Sequence, residues 1–189
     1  MIRHPFNPLA PAVALAVLAS CGDGASDNGT GGRAVDHPTA IKLSLTSDAF
    51  KEGQPIPTQY SCDGDNKSPA LSWGEPPAGT KSFALVIDDP DAPSGTYRHL
   101  GAYDIPAASR SIASGQHAGT EVNNDGGKPG YTGPCSPKGN GVHHYHFKLF
   151  ALDTDRLSLG PNAKVADVER AASRHALAQG ELIGTYERR

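Results

Sequence analysis

Apolar and polar residues alternate strictly in Ile41-Lys-Leu-Ser-Leu45, which predicts a half-buried strand. Phe83-Ala-Leu-Val-Ile87 is instead a continuous apolar run of strand length, and it stops at Asp88-Asp89-Pro90. His99–Ile105 predicts a further strand ended by Pro106, and Val142–Leu152 predicts the longest one. In that last run a period of two puts His143, Tyr145, Phe147 and Leu149 on one face and His144, His146 and Lys148 on the other. Phe147 and Leu149 mark the core face. His143 and Tyr145 must therefore end in a pocket at the strand's start or find buried partners, while His144 and His146 face solvent. Residues 163–179 carry a helical period: Val165, Val168, Ala172 and Ala176 share a face, Asn162 can cap, Asp167 and Glu169 suit the first turns, and Gly180 can end it. A short strand, Leu182–Tyr186, closes the chain. Gly74–Gly79, Pro90–Gly95 and Asn123–Gly141 are dense in Gly and Pro and read as loops. The class is mostly β, an antiparallel domain with one or two helices.

The first 40 residues follow another logic. Residues 1–20 have a weakly positive start at Arg3 and an apolar stretch, Leu9–Ala19, shorter than the roughly 20 residues a spanning helix needs. Leu18-Ala19-Ser20-Cys21 resembles the bacterial lipobox, which implies cleavage before Cys21 and diacylation of its thiol. The alternative is an ordinary secretory signal ending beside a cysteine. Residues 21–40 are rich in Gly, Asp, Ser and Thr, a flexible tether spanning roughly 20–25 Å, and the folded domain covers 41–189. Gly22 after Cys21 favours outer-membrane attachment, with the domain in the periplasm. Of three cysteines, Cys62 and Cys135 then remain. In an exported protein such a pair reads as a disulfide, worth about 4 kcal/mol in the chain-entropy model, or else as two separate buried thiols.

Composition narrows the function. Gly 22 and Pro 16 make about a fifth of 189 residues, and aromatics only 6%. A net charge of −3 excludes a broad nucleic-acid face, so an anion site must be built locally from a few His, Arg or backbone N–H groups. Candidate chemistry falls in three places. Asp88-Asp89-Pro-Asp91-Ala-Pro93 is a turn stiffened by two prolines at the exit of a buried strand; His99 begins the next strand; His143 to Phe150 begins the longest one. Metal sites do not fit. His144-x-His146 has no further ligand at useful spacing, and Asp63-Gly-Asp65-Asn66 puts Lys67 at a calcium-ligand position with no Glu at position twelve. Nucleophile-elbow and P-loop patterns are missing too.

Several linked motifs, in order, resemble the phosphatidylethanolamine-binding protein family, in its bacterial Raf-kinase-inhibitor-like branch. They are Cys62-Asp-Gly-Asp-Asn-Lys-Ser-Pro69 with Leu71-Ser-Trp73, Pro77-Ala-Gly-Thr80, Asp89-Pro-Asp-Ala-Pro93, His99 to Pro106, and Asn123-Asn-Asp125 to Tyr131. Gly133-Pro-Cys135, Pro137-Lys-Gly139, Gly141-Val-His143-His-Tyr145 and Gly184-Thr-Tyr-Glu-Arg188 complete the set, from Leu43 to Arg188. The resemblance implies a large antiparallel sheet, a smaller sheet and a C-terminal helix, beside a small surface pocket that takes anions such as phosphate or a phospholipid headgroup. Carried over by position, Asp89, Pro93, His99, Pro137, His143 and Tyr145 would line it. Arg98 and Leu100 flank His99, so no aromatic adjoins it, and Ser136 stands where a proline is common.

The expected function is capture of an anionic ligand without turnover, with no cofactor and no metal. His99, His143 and the Tyr145 hydroxyl would donate to it, Asp89 would orient a histidine or receive an ammonium group, and backbone N–H groups of 133–141 would complete a nest. Two rivals remain: an extracytoplasmic inhibitor or scaffold that binds a protein partner, and a phosphoester hydrolase using Asp89 and His143 as an acid–base pair.

Overall fold

The computed structural model describes residues 41–189. The leader, Cys21 and the tether lie outside the described residues. Among the described residues nine strands and one α-helix follow in order, with a 3-10 turn at Thr58–Tyr60: β1 (Ile41–Lys42), β2 (Leu45–Thr46), β3 (Leu71–Trp73), β4 (Ser82–Asp89), β5 (Tyr97–Pro106), β6 (Ser111–Ile112), β7 (Thr120–Glu121), β8 (Val142–Leu152), α1 (Val165–His175) and β9 (Ala176–Glu187). The larger sheet has the order β1-β9-β8-β4-β5-β7 and the smaller β2-β3-β6. Five strands of the large sheet are antiparallel, as expected; the two-residue β1 joins β9 in parallel and makes the sheet mixed.

The continuous apolar run is explained by its place. All eight residues of β4 are buried, because the large sheet is covered on both faces. Leu85 and Ile87 pack with Leu45, Leu71, Trp73 and Ile112 of the small sheet. Ala84 and Val86 pack with Val165, Val168 and Ala172 of α1. The helix face read from the sequence is therefore the buried one.

Several boundaries differ from the sequence reading: β4 runs on through Asp89, β5 takes in Tyr97 to Pro106 instead of stopping before the proline, and the last strand begins at Ala176 instead of Leu182. Ile41–Leu45 is two short strands, since the chain leaves one sheet after Lys42 and enters the other at Leu45. The helix starts at Val165, not 163, and the Asp167 carboxylate accepts the Lys164 N–H at 2.9 Å in place of an Asn162 cap. It ends at His175, because Ala176–Glu187 pairs with β8 along its whole length. Ala176, Leu177 and Gln179 have good helix propensity, but the ladder to the buried end of β8, Leu149 to Leu152, outweighs it. Gly180 is then a strand residue, and a Cβ there would lie 2.5 Å from the Leu43 carbonyl oxygen. Gly180→Ala should cost about 1–3 kcal/mol, which thermal unfolding would record as a midpoint lower by roughly 2–4 °C per kcal/mol.

Candidate functional site

The site grows from the end of β4. That strand runs through Asp88 and Asp89, so the turn begins only at Pro90. Asp89 is buried, and both its oxygens are used: Oδ1 accepts the Asp91 N–H at 2.9 Å, and Oδ2 accepts from His143 Nδ1 at 2.7 Å. A carboxylate can only accept, so the His143 proton sits on Nδ1. Its other nitrogen, Nε2, accepts from the Asn140 amide at 2.9 Å. His143 is thus fully engaged. His144, on the opposite face, is exposed and pairs with Asp91, whose carboxyl is held below its ordinary range chiefly by that hydrogen bond.

His99 owes its position to an irregularity in the ladder. Ile87 pairs with Leu100 and Asp88 with Arg98, so His99 is the extra residue of a β-bulge on β5. The bulge puts two consecutive residues on one side of the sheet: Leu100 packs into the core there, and the His99 ring meets that of Tyr145. Nδ1 of His99 donates to the Thr132 carbonyl at 2.6 Å, and the Tyr97 ring packs on the imidazole with centroids 4.8 Å apart. Tyr97 is the aromatic companion missing from the positions next to His99; it stands two residues away, one strand period. Burial pushes the imidazole below its ordinary pKa, opposed by the Thr132 carbonyl and by Asp89, Asp88 and Asp125.

The opposite wall is the 123–141 loop, irregular as expected but tightly tied. Buried Asn124 donates to Gly130 O and Thr132 Oγ1, each at 2.9 Å, and the Thr132 N–H bonds back to His99 O. The segment from Tyr60 to Asn66 straps this loop from outside. Cys62 and Cys135 are joined by a disulfide, Asn66 Oδ1 accepts the Gly133 N–H at 2.7 Å, and Tyr60 O accepts the Tyr131 hydroxyl. Asp63, in the calcium-loop-like stretch, is bound by Tyr186 and Arg188 instead, and no metal-ligating cluster occurs among the described residues.

Asp89, Pro93, His99, Pro137, His143 and Tyr145 all line one cavity of about 400 Å³, together with Tyr97, Thr132 and Ser136. Six buried side-chain polar atoms among the described residues lack a hydrogen-bond partner. Three of them, His99 Nε2, Ser136 Oγ and Tyr145 OH, belong to this cavity. Orphaned polar groups are costly, so their convergence marks a place for a ligand's polar atoms. Burial, and next the Asp89 carboxylate, raises the Tyr145 hydroxyl far above its ordinary pKa and keeps it a donor. A larger depression of about 770 Å³ between the 154–163 loop and α1 gathers none of the expected residues. Sequence reasoning missed Tyr97, Asn124, Thr132, Ser136 and Asn140. Only Tyr97 carries a periodic signal; the others act through loop geometry.

A family model described as phosphatidylethanolamine-binding protein matches residues 46–187. A protein named UPF0098 protein, from Aquifex aeolicus, is 45% identical over 152 residues, 77% of this chain and 89% of its own. One named "Putative lipoprotein LppC", from Mycobacterium tuberculosis, is 41% identical over 195 aligned positions, 96% of each chain. The crystal structure of Escherichia coli YbcL, described as a new member of the mammalian PEBP family, matches with a TM-score of 0.72 at 34% identity, covering 79% of this chain and 100% of that one.

The environment of His99 has a measurable effect on stability. The folded state keeps the imidazole neutral where an unfolded chain would protonate it, so stability present at neutral pH is lost as pH falls below about 6.5. His99→Gln removes this contribution. Its melting midpoint should fall less steeply than the parent's between about pH 6.5 and 5, and identical slopes would contradict a neutral His99.

Proposed function

The chain belongs to the phosphatidylethanolamine-binding protein family, and on that premise we propose that its cavity captures a small phosphate-bearing or otherwise anionic ligand without transforming it. The observation that carries this reading is the convergence of three unpartnered polar atoms on one cavity whose other histidine is locked by Asp89. Ligand oxygens would receive hydrogen bonds from the Tyr145 and Ser136 hydroxyls. Pro93 and Pro137 would supply stiff walls, and His143 with Asp89 would hold the floor in place. Locked between Asp89 and Asn140, His143 acts here by positioning, in place of the direct donation expected from the sequence.

The same arrangement argues for binding over hydrolysis. An acid–base pair must reach its substrate, but the Asp89–His143 pair is closed on itself by Asn140 and the Asp91 N–H. For location, the lipoprotein name of the Mycobacterium tuberculosis relative supports a cell-envelope protein anchored at Cys21, with outer-membrane attachment and a periplasmic domain as the fuller reading. Among the described residues no helix is long and apolar enough to cross a membrane.

Titrating the protein with phosphate and phosphorylethanolamine, followed by NMR, tests the proposal. Saturable shifts should be confined to residues around His99, Ser136 and Tyr145. Tyr145→Phe should weaken binding about five- to tenfold, the loss of one net hydrogen bond. p-Nitrophenyl phosphate should release no nitrophenol above the uncatalysed rate. Absence of shifts at millimolar ligand would remove the cavity from the function and turn the search to a protein partner on the outer surface.

A further inference from the structure

The cavity is poor in positive charge. Among its lining residues there is no lysine or arginine, and its one carboxylate, Asp89, is committed to His143 and the Asp91 N–H. His143 is saturated in turn. What remains for a ligand is the free nitrogen of His99 and the two buried hydroxyls of Ser136 and Tyr145, which donate or accept, with the hydroxyl-bearing Ser94 and Tyr97 also on the lining.

That nitrogen has a defined character. The Thr132 carbonyl only accepts, so the His99 proton resides on Nδ1, and Nε2 is a bare lone pair. Tyr97 packs on the ring from β5, and Tyr145 packs edge-on from β8. Asp88 and Asp89 on β4 and Asp125 in the loop are the charged groups that bear on it, and His143 lines the same cavity. Burial prevails over those acidic neighbours and leaves the ring neutral near pH 7. A fully ionised oxyanion offers acceptors only, and would set lone pair against lone pair in sight of a carboxylate. A phosphate group that keeps one proton offers a P–OH to Nε2 and further oxygens to the two hydroxyls.

Resting on the binding role above, the geometry points to a cavity that selects phosphate groups carrying a proton, with His99 Nε2 accepting the P–OH hydrogen bond. The ligand class is inorganic phosphate or a phosphomonoester in its monoanionic form. Sulfate and the phosphodiester of an intact lipid headgroup are the rejected class, since neither holds a proton near neutrality.

The test is calorimetric titration of the full chain between about pH 6 and 8, using inorganic phosphate, phosphorylethanolamine, glycerophosphorylethanolamine and sulfate. A 15N spectrum of the histidines in each complex accompanies it. Phosphate and the monoester should bind, weakening about tenfold per pH unit above the ligand's last ionisation, about pH 6 for a monoester. The diester and sulfate should bind about ten- to hundredfold more weakly, the effect of leaving a buried acceptor unpaired. His99 should remain protonated on Nδ1 alone. In His99→Gln the side-chain amide can turn an N–H to the ligand, so the gap between phosphate and sulfate should narrow. Diester or sulfate binding as tight as the monoester overturns the selectivity and leaves the binding role standing. So does an affinity that rises at low pH together with a second proton on His99. Failure of all four ligands removes the binding role itself, and the selectivity with it.

Discussion

Two neighbouring carboxylates end a strand that is buried on both faces, and neither can stay ionised there without a partner. Strand geometry sends them to opposite sides, so the fold resolves the same problem twice. On the helix side Asp88 binds Lys148 at 2.7 Å, and Lys148 also reaches Glu169 on α1 at 3.0 Å, which ties the helix to the sheet. On the other side Asp89 binds His143 and the first free N–H of the proline turn. Removing one member of a buried pair commonly costs about 3–5 kcal/mol because the charge left behind is uncompensated, so each cluster holds its partners in this arrangement. The pocket is the place where that second solution meets the surface.

Around this fixed floor the walls are set by backbone devices more than by bulky side chains. A bulge aims His99, a buried asparagine holds the Thr132 carbonyl against it, and the Cys62 segment braces the loop from outside. Such bracing places a few polar groups with little freedom to rearrange. Recognition then depends on which atoms donate and which accept, since net charge supplies little attraction for an anion.

Much of this was legible in the sequence where period and burial agree. The alternation from Val142 to Leu152 correctly put His143 and Tyr145 on the buried face, and the strand limits coincide with those observed. The six expected pocket residues are brought together in one cavity. Legibility failed where tertiary pairing overrode local preference, as in Ala176–Gln179, and where the chain passes between sheets at Leu43 and Ser44. It also failed for groups defined by loop hydrogen bonds. Asn124 and Asn140 look like ordinary loop residues until their partners are seen, and Ser136 until its unpartnered hydroxyl is found in the cavity. The expectation that His143 donates to a ligand was formed without Asn140, whose amide occupies the nitrogen in question.

The extra residue in β5 has a consequence for how such a chain can change over generations. With Leu100 opposite Ile87 and Arg98 opposite Asp88, losing one codon at Arg98 would remove this irregularity, leave the one between Phe83 and Leu85, and keep the apolar core in register. It would also rotate the histidine to the helix side, toward Asp88, and away from Tyr145. Spacing between Tyr97 and Leu100 is therefore inherited information of a different kind from residue identity. A descendant could keep every motif letter and the whole fold, and still lose the pocket through a single deletion.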